Sequence, residues 1–324
     1  MTVLTTPAQR DRHTTPPPVP WRRLAWVSWR QYRYSAVGTA VFLGVLALYL
    51  LVMGLEIRSS YAAATACTSR APNACVAVLN LFNNDYHNAA ELTAAVLNAV
   101  PVLAGVFAGA PILARELGSG TFRFAWTQGA GRARWTLARL ALPAVTVTAA
   151  AAAFSQLFGW YFWPFFDAQQ AGSFAPQYFN LTGVAFAAWT LAAFAIGALA
   201  GVLIRRVVPA MAAAMAGCAG LLGATVFYLR PHYMAPLVTK PNGTAPGSSW
   251  TISQLWTGPH GQRITNFDQI IALIQHPRRG YSEVTIYQPA IRYWPFQFIE
   301  GGWLLVFSLL LLAATVWLVR RRAT

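Results

Sequence analysis

Apolar residues fall along the chain in six blocks of about 20, the length a helix needs to cross a hydrocarbon core of roughly 30 Å. The pattern predicts spans at 36–55, 92–113, 140–163, 181–204, 207–229 and 301–319. Pro101 and Pro111 predict a kink in the second span, which a bundle tolerates because neighbouring groups satisfy the freed carbonyls. Ahead of the first span, Trp21, Leu24, Ala25, Ser28, Trp29 and Tyr32 recur at helical spacing while Arg22, Arg23, Arg30 and Arg33 project elsewhere. This predicts an amphipathic interfacial helix over 21–34, anchored by Trp21, Trp26, Trp29, Arg30 and Arg33 against membrane lipid. The alternative is a cytosolic extension of the first span. Residues 1–20 are polar and Pro-rich, which predicts a disordered tail and no cleavable leader.

Composition agrees with that pattern. Hydrophobic residues make up 56% of the 324 positions and charged residues only 10%, against roughly 25% charged in soluble domains. The fold class expected is an all-α membrane protein of six transmembrane helices with one long extracytoplasmic segment, 230–300, between spans five and six. The net charge of +15 raises nucleic acid as a partner, but the basic residues flank the apolar blocks and no nucleic-acid-binding motif is present. Their placement gives orientation instead. Arg22, Arg23, Arg30, Arg33, Arg115, Arg123, Arg132, Arg134, Arg139, Arg205, Arg206 and Arg320 to Arg322 fall on one side, whereas the opposite short connections hold only Arg58 and Arg70. The positive-inside rule therefore puts both termini in the cytoplasm of a bacterial cell, including a basic tail at 320–324.

The 230–300 segment is rich in Pro and Gly, then carries a short amphipathic run, 266–275, for which Asn266 is the expected N-cap. Trp250, Trp256 and Trp294 suit the outer interface. The interiors of the expected spans hold no Asp, Glu, Lys, Arg or His, so the chain lacks an energy-coupling device of its own. Gly118-Ser119-Gly120-Thr121 and Gly129-Ala130-Gly131 lack the Lys and spacing of a phosphate-binding loop. As flexible joints they bracket 121–128, predicting a short helix that protrudes from the 114–139 loop. Apart from Asp11, Glu116 is the sole carboxylate on that basic face. It is either a local partner for Arg115 or Arg123, or a contact for another protein. Cys67 and Cys75 share the first external connection, as a disulfide or as two free thiols. His232, His260, His276, Asp268 and Glu283 raise a membrane enzyme with an external metal or catalytic site, but their spacing matches no metal motif. A membrane anchor or signalling partner is the other alternative.

The run from Pro111 to Gln128, Pro-Ile-Leu-Ala-Arg-Glu-Leu-Gly-Ser-Gly-Thr-Phe-Arg-Phe-Ala-Trp-Thr-Gln, followed by Arg132, Arg134 and Trp135, resembles actinobacterial permeases of the type-2 ABC exporter family. Trp29-Arg30-Gln31-Tyr32-Arg33 resembles that family's first helix, and Tyr287 to Gln297 with Glu300, then Thr315 to Arg322, resemble its last span. The resemblance implies a six-span permease paired with a second permease copy, as a homodimer, and with two separate ATP-binding subunits. ATP and Mg would be held by the partner, and this chain would bind no cofactor or metal and have no catalytic residue. Glu116, Gly120, Thr121, Arg123, Gln128, Arg132 and Arg134 would couple it to the ATPase. Arg139 departs from the Lys usual there but keeps the charge.

Overall fold

The computed structural model describes residues 21–67, 73–119, 132–167, 172, 174–276 and 279–322. Helix α1 spans Trp21–Thr65, α2 Ala74–Leu103 and α3 Ala110–Ser119, with a π-helical turn at Ala104–Gly109 joining the last two. Helix α4 covers Arg132–Asp167, α5 is the single turn Pro176–Phe179, α6 covers Ala185–Ile204 and α7 covers Val207–Gly223. A second π-helical turn, Ala224–Leu229, and a 3-10 turn, Arg230–His232, extend α7. Helix α8 is Phe267–Gln275 and α9 is Tyr293–Arg322.

Among the described residues, six helical segments are long and apolar enough to cross a membrane: Ala40–Thr65, Ala74–Ser119, Ala133–Asp167, Ala185–Ile204, Val207–His232 and Ala290–Arg321. All but the fourth are longer than the apolar blocks alone indicate, because helix continues into polar flanks that do not break it. Successive spans alternate in direction. The connections at 66–73 and 168–184 and the segment at 233–289 therefore share one end, the sheet end, while 120–131 and Arg205–Arg206 share the other.

Helix α6 is the centre of the bundle, with 14 of its 20 residues buried, and it touches α2, α3, α4, α7 and α9. Its closest neighbour is the π-helical turn. A Cβ on Gly105 would meet the carbonyl of Ala193, one on Gly109 that of Phe194, one on Gly197 that of Gly105, and one on Gly201 that of Ala110. Two pairs of glycines spaced by four thus let backbone meet backbone, the contact that packs helices where hydrophobicity cannot drive them together. The kink expected from Pro101 takes the form of the π-helical turn three residues later, at the glycines that make this contact.

Residues 21–34 are helical and run without a break into the first span: α1 is continuous for 45 residues, about 68 Å at 1.5 Å per residue. No Pro or Gly between Trp21 and Val37 ends it. Trp21, Trp26, Trp29, Arg30 and Arg33 lie on its first turns, with side chains outside those described. The tail 1–20 and the loop at 120–131 are also outside the described residues.

The all-α expectation fails in the segment between spans five and six. Four strands, β1 Leu237–Val238, β2 Trp250–Thr257, β3 Arg263–Ile264 and β4 Ser282–Gln288, form an antiparallel sheet in the order β1-β4-β2-β3. Trp250 faces Gln288 at one end and Thr257 faces Ser282 at the other, with an irregularity between Thr251 and Ser253. Both long strands are rich in β-branched and aromatic residues, which suit a pleated surface. Trp250 is buried within this sheet's packing against Phe174, rather than set at an interface. The short helix is α8, capped by Asn266, whose Oδ1 accepts from the amides of Asp268 (2.9 Å) and Gln269 (3.3 Å).

Candidate functional site

Among the described residues, two ion pairs stand at opposite ends of the bundle. At the end away from the sheet, Glu116 on α3 pairs with Arg139 on α4, and the Arg139 guanidinium lies over the Trp135 ring at 5.8 Å. The partner of Glu116 among the described residues is thus not its neighbour Arg115 but a residue one helix away, 23 positions along the chain, while Arg123 lies outside the described residues. The pair ties the end of span two to the start of span three, at the base of the 120–131 loop. Gly120, Thr121, Arg123 and Gln128 lie outside the described residues, Arg132 opens α4, and Arg134 is half-buried on its first turn.

At the sheet end, helices longer than the expected spans 207–229 and 301–319 carry the flanking Arg230 and Glu300 into the bundle. Arg230 follows the second π-helical turn and Glu300 lies in the third turn of α9; both side chains are 0% exposed. Arg230 donates from Nε to Glu300 Oε2 (2.9 Å) and from Nη2 to Glu300 Oε1 (2.6 Å), so the pair is bidentate. Nη2 also donates to Asn180 Oδ1 at 2.5 Å. The indole of Trp189 donates to Glu300 Oε1 (2.8 Å) and the Tyr233 hydroxyl to Oε2 (3.3 Å). The guanidinium sits 4.4 Å from the centre of the Phe179 ring.

Burying two charges costs several kcal/mol per ion, and only good geometry with further hydrogen bonds offsets it. Here the carboxylate receives four, from spans four and five and from the connection that follows span five. Burial and then the Glu300 charge push the Tyr233 phenol above its usual range, so it remains protonated and able to donate. Trp303 Nε1 in turn donates to Tyr233 Oη (2.8 Å). The cluster reaches the sheet as well: Gln288 Nε2 donates to the Met234 carbonyl (2.8 Å) and Arg292 Nη1 to that of Ala235 (2.6 Å). Beside it, Gln297 Nε2 donates to Phe179 O and its Oε1 accepts from Ala185 N, both at 2.9 Å.

Next to this cluster, a small cleft of about 30 Å³ lies between α2, α6 and α7. Asn98 and Val102 of α2, Trp189 and Ile196 of α6, Cys218 and Leu222 of α7, and Asn180 line it. Asn180 and Trp189 therefore belong both to the cleft and to the buried ion pair. Sequence reading missed this arrangement because Arg230 and Glu300 look like the flanks of apolar blocks. The signal available was an Arg closing one block and a Glu opening the next.

The remaining sequence candidates are dispersed. Cys67 and Cys75 are joined in a disulfide with Cα atoms 5.6 Å apart, clamping α1 to α2. Nδ1 of His232 is 2.7 Å from the Tyr228 carbonyl, Asp268 is in the first turn of α8, and Glu283 is on β4. Among the described residues no group of three or more His, Cys, Asp or Glu side chains is placed to hold a metal ion.

Residues 40–230 match the family model of ABC-2 membrane transporter related proteins. No curated protein and no solved structure matches the chain. The matched stretch is more than half of the sequence and takes in the first five spans up to Arg230, so this multi-pass membrane protein belongs to the ABC-2 membrane transporter related family, the permease components of ABC transporters.

Proposed function

We propose that the chain is the membrane-spanning permease subunit of an ATP-driven exporter in a bacterial inner membrane, moving a hydrophobic or amphipathic substrate outward. It pairs with a second permease copy and with two ATP-binding subunits that carry the ATP and Mg. Its termini and the 114–139 loop are cytoplasmic, and the sheet is extracytoplasmic. The observation that carries this reading is the family match over a six-helix bundle whose Arg residues crowd the end opposite the sheet. Coupling runs through the 120–131 loop, and the Glu116–Arg139 pair holds the loop's two flanking helices together so that movement at the loop reaches spans two and three as a unit. The first turns of α1, with Trp21, Trp26, Trp29, Arg30 and Arg33, rest at the inner headgroup layer.

Affinity purification of the tagged chain from its native membrane tests the reading. A Walker-motif ATPase should copurify, and vesicles holding both should hydrolyse ATP. A chain that purifies without any ATPase, under conditions that keep other ABC transporters assembled, would remove this proposal in favour of an anchor or enzyme.

A further inference from the structure

Arg58 lies on α1 seven residues before Thr65, about two helical turns short of the sheet end. Its guanidinium faces span three. The central carbon is 4.7 Å from the middle of the Trp160 ring and 5.4 Å from that of Trp163, and Nη2 donates to the Trp160 carbonyl at 2.9 Å. That carbonyl is free to accept because the residue four positions on is Pro164, which has no amide hydrogen to offer it. Gly54, one turn before Arg58, lets the ring sit close: a Cβ there would strike Trp160. The guanidinium is thus held by groups that carry no charge.

Among the described residues no carboxylate pairs with it, since the two ion pairs are Glu116–Arg139 and Arg230–Glu300. The one acid on each of the two helices is engaged elsewhere, Glu56 by the Tyr86 hydroxyl (3.4 Å) and Asp167 by that of Tyr61 (2.7 Å). Of the other donors of Arg58, Nε is buried without a hydrogen-bond partner and Nη1 makes no bond to the described residues. An unpaired charge at membrane depth is costly. A long basic side chain near a helix end meets that cost by reaching the headgroup layer, where Trp also concentrates.

The surface beside Arg58 says which anion answers it. Leu55, Leu51 and Leu48 precede it by three, seven and ten positions, so they share its side of α1, and all three are exposed. A dissolved anion makes no use of an apolar row. A phospholipid uses both features, its phosphate at the guanidinium and an acyl chain along the leucines. A headgroup with an ammonium brings its own cation to the phosphate, so an arginine without a counter-charge favours a headgroup that lacks one.

We infer that the groove between spans one and three binds an anionic phospholipid of the leaflet on the sheet side, its phosphate on Arg58 Nη1 and its chain over Leu55 and Leu51. With the sheet extracytoplasmic, as proposed above, this is the outer leaflet. The lipid supplies the counter-charge that the neighbouring helices do not.

The test needs neither ATP nor a partner protein, so its failure leaves the exporter reading standing, and the absence of an ATPase leaves the lipid result standing. The purified full-length chain is placed in phosphatidylcholine nanodiscs with a minor component of phosphatidylglycerol or phosphatidylcholine that carries a diazirine in its acyl chain. After illumination, the cross-linked peptide that contains Leu48 to Leu55 is quantified. Phosphatidylglycerol should label it more than phosphatidylcholine does. Arg58→Gln should lower the phosphatidylglycerol yield about tenfold, the worth of one charge-assisted hydrogen bond. Arg58→Lys keeps the charge but not the planar fork that serves carbonyl and phosphate together, and its yield should fall severalfold. Arg263→Gln, exposed on β3, removes the same charge away from the groove and should change nothing. Equal yields from the two lipids, an equal fall in Arg263→Gln, or loss of yield to an excess of glycerol phosphate, the mark of a site for a dissolved anion, would overturn the proposal. So would an unchanged yield in Arg58→Gln or, should that variant fail to fold, in Arg58→Lys.

Discussion

The two ion pairs use the same chemistry and differ in what surrounds them. Glu116–Arg139 keeps its carboxylate 19% exposed, whereas both side chains of Arg230–Glu300 are 0% exposed. Water still screens the first pair in part and lowers the cost of burying it. The second has exchanged water for Trp189, Tyr233 and Asn180, and the exchange works only if every partner is in place. The first pair is therefore a clip between two neighbouring helices, which the loop beside it can strain without unfolding the bundle. The second is a lock that fixes spans four, five and six and the connection before span four in one arrangement. A device meant to transmit motion belongs at the clip, and a device meant to hold shape, or to change only when a competing ligand arrives, belongs at the lock.

Removing the carboxylate from each pair should separate them. Glu300→Ala leaves a cationic guanidinium buried with no counter-charge and should destabilise the protein by about 3 to 5 kcal/mol, read as the free energy of unfolding in mixed micelles. Replacing both partners, as Arg230→Met with Glu300→Leu, should recover much of that loss, because the apolar pair removes the uncompensated charge. Glu116→Ala should cost less, about 1 to 3 kcal/mol, since the Glu116 side chain is already partly exposed to water at the helix end. Its larger effect should be on function: with the clip gone, ATP hydrolysis by the assembled transporter should continue while transport falls. Equal stability losses for Glu300→Ala and Glu116→Ala would erase the distinction between lock and clip.

The spans were legible because apolar blocks of the right length leave a chain few alternatives in a membrane. Asn266 as a cap was legible because an Asn before Phe267-Asp268-Gln269 satisfies local donors that need no tertiary partner. The strands were not legible. Trp250-Thr-Ile-Ser-Gln-Leu-Trp-Thr257 pairs with a strand about 30 residues away, and nothing local announces that partner. Helix extension past the apolar blocks was also hidden, since Arg230 and Glu300 mark a boundary by hydropathy and become interior only when they meet each other. Arg139 was set down as one more basic residue on a basic face; its burial depends on α3 and α4 crossing beside Trp135, which spacing alone does not give. Tertiary neighbours decided each of the features that escaped.

Tyr233 supplies the finest test of the lock. Its hydroxyl donates to Glu300 Oε2 at 3.3 Å and accepts from Trp303 Nε1 at 2.8 Å, so it is both the longest bond to the carboxylate and the link to Trp303, about one turn further along span six. Tyr233→Phe deletes one long donor and leaves an indole N–H to find water, which should cost only about 0.5 to 1.5 kcal/mol. Its signature lies in the dependence on pH. Burial, followed by the neighbouring Glu300 charge, raises the phenol's pKa in the folded protein above the unfolded value of about 10. A group whose folded pKa is raised contributes stability that is complete below the unfolded pKa and lost as the pH climbs from there through the folded pKa. Unfolding free energy attributable to Tyr233 should therefore be constant up to about pH 10 and decline above it. Tyr178, raised by burial and by Glu91, declines in the same range and is present in both proteins, so the measurement is the difference between wild type and Tyr233→Phe. That difference should shrink as the pH rises past the unfolded value; a difference that is flat or grows with alkali would mean that the phenol does not sit against the Glu300 charge.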